Sequence, residues 1–151
     1  MPSERHLTVD WRGGMRFEST SQSGTEVVLD SSPEHGGENK GWRPMELLLA
    51  TLAGCTGMDV ISLLRKKRQH VTDFQVRVDG IRQDEHPKIY TNITITYVVT
   101  GHDVDPVAVA RSIELSTAKY CPVFATIDAL TEMCTAYEVH EAPEPPDDDH
   151  D

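Results

Sequence analysis

From Pro44 to about Gln69, apolar residues crowd almost every face of a helical wheel: Leu47, Leu48, Leu49, Leu52, Val60, Ile61, Leu63 and Leu64 leave no broad polar side. A helix of that kind is central in a core or lies against a partner chain. Pro44 fits its first turn, where a missing N–H costs nothing. Glu46 suits the positive end of the dipole, and Arg65-Lys66-Lys67-Arg68 suits the negative end. Before this helix the pattern is strand-like at His6–Trp11, at Met15–Glu18 after a Gly13-Gly14 turn, and at Glu26–Leu29. Residues 30–41, rich in Pro, Gly and Ser, predict no element, and a loop that long in a compact domain often carries function. Val71–Gln83 and Ile89–Thr100 alternate as strands around a His86-Pro87 turn, with Phe74, Val76 and Val78 on one face and Ile89, Ile93 and Ile95 on another. Asp105-Pro106 caps a second helix reaching about Lys119, and Cys121-Pro122 begins a third reaching about Met133. Cys134–His140 reads as a closing strand. The order β-β-β, α, β-β, α-α, β predicts an α+β fold with antiparallel sheet.

Composition narrows the partners. The formal charge is −11, and six of the 25 acids fall in residues 141–151, EAPEPPDDDHD, which hold no Lys or Arg. Proline and like charge together predict a disordered acidic tail there, after one domain over residues 1–140. An acidic balance opposes nucleic-acid binding, since nothing neutralises a run of phosphates. No uninterrupted apolar run approaches the roughly 20 residues of a membrane span, and the polar start, Met1 to His6, lacks the apolar stretch of a signal peptide. A cytoplasmic protein without membrane contact is expected. His35, His70, His86 and His102 fall in loops or turns without metal-ligand spacing.

The chemistry rests on Cys55, Cys121 and Cys134, which form no CxxC and no zinc spacing. Tyr120-Cys121-Pro122 sets Cys121 at a helix N-cap, where free N–H groups and the dipole favour a thiolate, and Lys119 adds a positive charge nearby. The competing reading is a buried small residue at a helix start. Cys55 lies mid-helix between Gly54 and Gly57, each costing about 1 kcal/mol relative to Ala, so either another backbone approaches closely or the sulfur needs access. Thr51, Asp59 and Ser62 share its face. An ionised Asp59 raises a neighbouring thiol pKa, so a compensating cation is required. A small core cysteine at a helix crossing is the alternative. Cys134, without an activating neighbour, reads as structural.

Two stretches resemble a known family. Pro44-Met45-Glu46-Leu47-Leu48-Leu49-Ala50-Thr51-Leu52-Ala53-Gly54-Cys55 is similar to the first cysteine helix of the OsmC/Ohr superfamily, and Ser116-Thr117-Ala118-Lys119-Tyr120-Cys121-Pro122-Val123 to its second cysteine motif, 66 residues apart from cysteine to cysteine. The resemblance implies antiparallel sheets around a long central cysteine helix in an intertwined homodimer. It implies an organic hydroperoxide reductase in which Cys55 attacks the O–O bond and becomes a sulfenic acid, and Cys121 condenses with it to a disulfide. A dithiol, such as a lipoylated protein, then restores the pair. No metal or cofactor is implied. The family's glutamate lies ten residues before the first cysteine, where this chain has Met45. Glu46, one residue on, points about 180° from Cys55 on an ideal helix. Arg43, beside the helix start, is the first choice for the activating arginine, with Arg12, Arg16 and Lys40 as competitors. A redox-sensing or ligand-binding protein with little turnover is the alternative that Met45 favours.

Overall fold

The computed structural model describes residues 3–146. The chain divides into two compact units, up to Leu48 and from Leu49 onward, and the boundary falls inside the long helix.

In the first unit, β1 (Val9–Trp11), β2 (Phe17–Thr20) and β3 (Glu26–Leu29) form an antiparallel sheet in that order, with Trp11 opposite Phe17 and Glu18 opposite Val28. Gly13 and Gly14 turn the chain between β1 and β2 at φ 92° and 54°, angles that side chains resist. The loop after β3 is built around Asp30, only 4% exposed, whose carboxylate accepts the N–H groups of Ser31 (2.7 Å), Glu38 (3.2 Å) and Lys40 (3.1 Å). Those bonds, that from Lys40 foremost, hold Asp30 below the usual carboxylate range. The loop then returns to β3, as Trp42 N–H donates to Val28 O (2.9 Å).

The long helix, α1 (Pro44–Lys66), starts at the proline the sequence marks and stops three residues before the expected Gln69. Arg68 takes φ 56°, Arg68 N–H bonds Arg65 O, and Gln69 N–H bonds Leu64 O. This is the paired C-terminal bonding that normally recruits a glycine. Over its most apolar 18 residues α1 has a mean hydropathy of 1.8, enough by length and composition to cross a bilayer. That qualifies the expectation drawn from uninterrupted apolar runs. Its buried residues Leu52, Thr56, Val60 and Leu64 recur every four positions, and Thr56 is bonded to a strand and to a later turn, so this face belongs to a protein core.

In the second unit, β4 (His70–Arg82) and β5 (Tyr90–His102) form an antiparallel hairpin, with Phe74 opposite Val99 and Val76 opposite Tyr97. Ile93, Ile95, Tyr97 and Val99 of β5 are buried and their neighbours are not, so the period-two reading holds from Ile93 onward. Ile89, which the pattern assigned to that face, precedes the strand and is 48% exposed. The closing strand β6 (Glu132–Glu141) pairs with β5 in parallel, Thr94 opposite Cys134 and Tyr97 opposite Tyr137, correcting the purely antiparallel expectation. Two helices lie between them, and such a crossover returns the chain to the starting end of β5. The first, α2 (Pro106–Leu115), is capped by Asp105, which accepts Val107 N–H at 2.9 Å. A five-residue π-helical turn, Ser116–Tyr120, replaces its expected last turn. The second, α3 (Pro122–Asp128), ends five residues before Met133, because the chain from Glu132 pairs with β5 instead. Glu141, assigned to the tail, closes β6, and Ala142 is buried with its N–H on Gly101 O (2.7 Å). Residues 147–151 of the predicted disordered tail lie outside the described residues.

Candidate active site

α1 carries Cys55 on a half-buried face, and the π-helical turn delivers Cys121 to it. The turn is wide because Cys121 N–H donates to Ser116 O, five residues back, at 2.8 Å. Such insertions recur at functional sites. Cys121 is 2% exposed, and Cys55 is near enough to raise its pKa. Both are free thiols, as is Cys134, which is exposed near the start of β6. The glycines beside Cys55 divide their roles. A Cβ on Gly57 would stand 3.3 Å from Val76 Cγ2, so the helix approaches β4 closely there, whereas a Cβ on Gly54 would meet nothing within 4 Å.

The helix-end position does not make Cys121 an acidic thiol. It is the N-cap of α3, and its sulfur accepts Phe124 N–H at 3.4 Å, which lowers its pKa. Burial outweighs that bond. Together with the contact to Cys55 and the charge of Asp59, it pushes the thiol up to about 11. Lys119, expected to lend it a positive charge, stands over the Tyr120 ring, 5.2 Å from the centroid. The folded protein therefore holds the Cys121 proton more tightly than the unfolded chain. Below pH 9.0 this costs nothing, and stability is lost as pH rises from 9.0 to about 11. Urea unfolding across that window is expected to show a larger loss for the wild type than for Cys121→Ala.

Beneath the two cysteines runs a buried chain of hydroxyl groups that the sequence reading missed. Tyr97 Oη lies 2.7 Å from Thr56 Oγ1, Thr56 Oγ1 lies 2.8 Å from Ser116 Oγ, and Ser116 Oγ donates to Asp59 Oδ2 at 2.8 Å. Tyr97, Thr56 and Ser116 are 0% exposed. Burial pushes the Tyr97 phenol up to about 12. Two signals could have found the chain. Thr56 interrupts the apolar stripe of α1, and Tyr97 occupies a buried register position of β5, where a phenol needs a partner. Of the expected polar seam, Thr51 and Ser62 are exposed, and Asp59 joins the hydroxyl chain. Asp59 also borders a cavity of about 200 Å³ with Ser62, Leu63, Lys66 and Tyr120, which makes Lys66 the nearby cation.

The two supporting residues lie in the first unit. Arg43 donates to Asn39 Oδ1 and to Gly41 O (3.4 Å), and its charge helps hold Asp30 ionised. Glu46 is exposed and lines a cavity of about 510 Å³ with Glu26, Lys40 and Trp42. Among the described residues, no group of three or more His, Cys, Asp or Glu is placed to hold a metal ion.

A cysteine on a long helix, met by a second cysteine at the start of a later helix within an α+β framework, defines a thiol-pair protein. The chain belongs to the OsmC-like protein family, whose pattern matches residues 37–133. It is 36% identical over 131 residues to Protein YhfA of Escherichia coli K12, covering 87% of this chain and 95% of that one. A hypothetical protein from Aquifex aeolicus VF5 has the same fold at TM-score 0.83, with 34% identity over 94% of this chain and all of that one. An organic hydroperoxide resistance protein OsmC from Legionella pneumophila superposes at TM-score 0.67 over 91% of this chain and all of that one; its 15% identity makes this a likeness of fold.

Proposed function

We propose that this protein is a dithiol-dependent peroxidase that reduces organic hydroperoxides with Cys55 as attacking thiolate and Cys121 as resolving thiol. Members of the family are often peroxidases. One observation carries the reading: a buried Cys121 is set beside a more accessible Cys55, near enough for Cys55 to raise its pKa. A buried Cys121 pushed up to about 11 keeps its proton at neutral pH, and the neighbouring Cys55 strengthens that hold. Cys55 is half-buried, and of the two sulfurs it is the one more open to a peroxide. Its attack transfers oxygen from the hydroperoxide, giving a Cys55 sulfenic acid and an alcohol. Condensation with Cys121 forms the S–S bond and releases water, and a dithiol reduces the disulfide by exchange.

OsmC-like proteins are generally dimeric, and the surface supports a homodimer here. Met58 is 74% exposed and borders an apolar groove of about 400 Å³ with Gly54, Ile61, Phe74 and Val76. Patches of this kind mark association sites. The test is consumption of an organic hydroperoxide in the presence of a dithiol. Many turnovers per protein are expected. A single oxidation without cycling supports the redox-sensor reading instead, which Met45 in place of the family's glutamate favours.

A further inference from the structure

The hydroxyl chain has a direction. Asp59, as a carboxylate, only accepts, so Ser116 spends its single proton on it. Ser116 must then accept from Thr56, and Thr56 from Tyr97. Three protons point towards one negative charge. Ser116 is also the residue that anchors the second cysteine, since its carbonyl takes the Cys121 N–H at 2.8 Å. One buried serine therefore fixes Asp59 through its side chain and Cys121 through its backbone.

We propose that Asp59 is the positioning carboxylate of the cysteine pair: held by the one-way chain Tyr97–Thr56–Ser116, whose last member also anchors Cys121, it sets a fixed negative charge beside the buried thiol and disfavours a thiolate there. This rests on the two-cysteine reading and adds to it the device that divides the labour. A charge fixed near the buried thiol disfavours a second negative charge there, and the effect is strong where water is excluded. Burial is the main reason that Cys121 and Tyr97 hold their protons, and the Asp59 charge adds to it in the same sense. The other ionisable groups around it are Lys66 and Tyr120 across the small cavity, with Lys119 above the Tyr120 ring. When Cys55 has become a sulfenic acid, the S–S bond forms as its S–O bond breaks, and the proton kept on Cys121 leaves with the hydroxide as water.

The test is a thiolate titration of the reduced protein by NMR with carbon-13 at the cysteine Cβ atoms, which needs no access to the buried sulfur and is blind to the tyrosines. In a Cys55→Ser, Cys134→Ser background only Cys121 contributes. Asp59→Asn is expected to lower its midpoint by roughly half a pH unit, and Asp59→Glu to restore most of the difference. An unchanged midpoint in folded Asp59→Asn protein overturns the proposal. If that variant does not fold, Asp59→Ser is judged by the same titration. The two-cysteine reading fails separately, when wild-type protein treated with hydroperoxide gives no Cys55–Cys121 disulfide, whatever the titration shows.

Discussion

Cys55→Ser is expected to abolish hydroperoxide turnover, while Cys121→Ser still consumes about one equivalent of peroxide per protein before stopping. The asymmetry follows from burial. Cys121 is 2% exposed and holds its proton to about pH 11, so at neutral pH only about one molecule in 10⁴ carries the thiolate, by the tenfold change per pH unit. Since the thiolate is the nucleophile, Cys121 cannot replace Cys55 as attacker. Losing Cys121 leaves the first step intact and strands the sulfenic acid with no thiol to condense with, so consumption stops near one equivalent. Stopped assays with the two single variants and the wild type check this. Equal residual turnover in both variants contradicts the assignment of roles.

The second large effect is on stability. Thr56→Val keeps the shape of the side chain but removes the middle of the hydroxyl chain. Tyr97 then has a buried phenol proton with no acceptor, and Ser116 loses its donor. Leaving buried polar groups unpaired costs about 1–3 kcal/mol each, so a loss of about 2–4 kcal/mol is expected, against under 1 kcal/mol for an exposed change such as Ser62→Ala. Tyr97→Phe in the Thr56→Val background removes the stranded phenol and should recover part of the loss. Denaturant unfolding of the three variants reads out both effects. If Thr56→Val is as stable as the wild type, the chain does not hold the core together.

What the sequence made legible was what local pattern encodes. Pro44 and Asp105-Pro106 marked helix starts because their geometry suits a first turn and nothing else in the neighbourhood competes. The cysteine pair was legible through its spacing and motifs. The failures have a common cause, because they depend on partners distant in the chain. The parallel pairing of β6 is set by a connection of about thirty residues, and nothing in Cys134–His140 itself records which way its neighbour runs. The loop at residues 30–41 has no periodicity, since its order comes from one carboxylate gathering three N–H groups. Ser116–Tyr120 reads as plain helix until the extra residue is needed to bring Cys121 round to Cys55. The pKa argument at Cys121 went wrong in the same way. The helix end is local and visible, but the burial that outweighs it is supplied by the whole fold.

The central claim is that Cys55 and Cys121 are one redox unit. Peptide mapping by mass spectrometry after one equivalent of an organic hydroperoxide, with thiols blocked before digestion, tests it most directly. The account predicts an intramolecular Cys55–Cys121 disulfide, with Cys134 recovered as the blocked thiol. Recovery of Cys121 as a free thiol alongside oxidised Cys55, or a disulfide that uses Cys134, would contradict it.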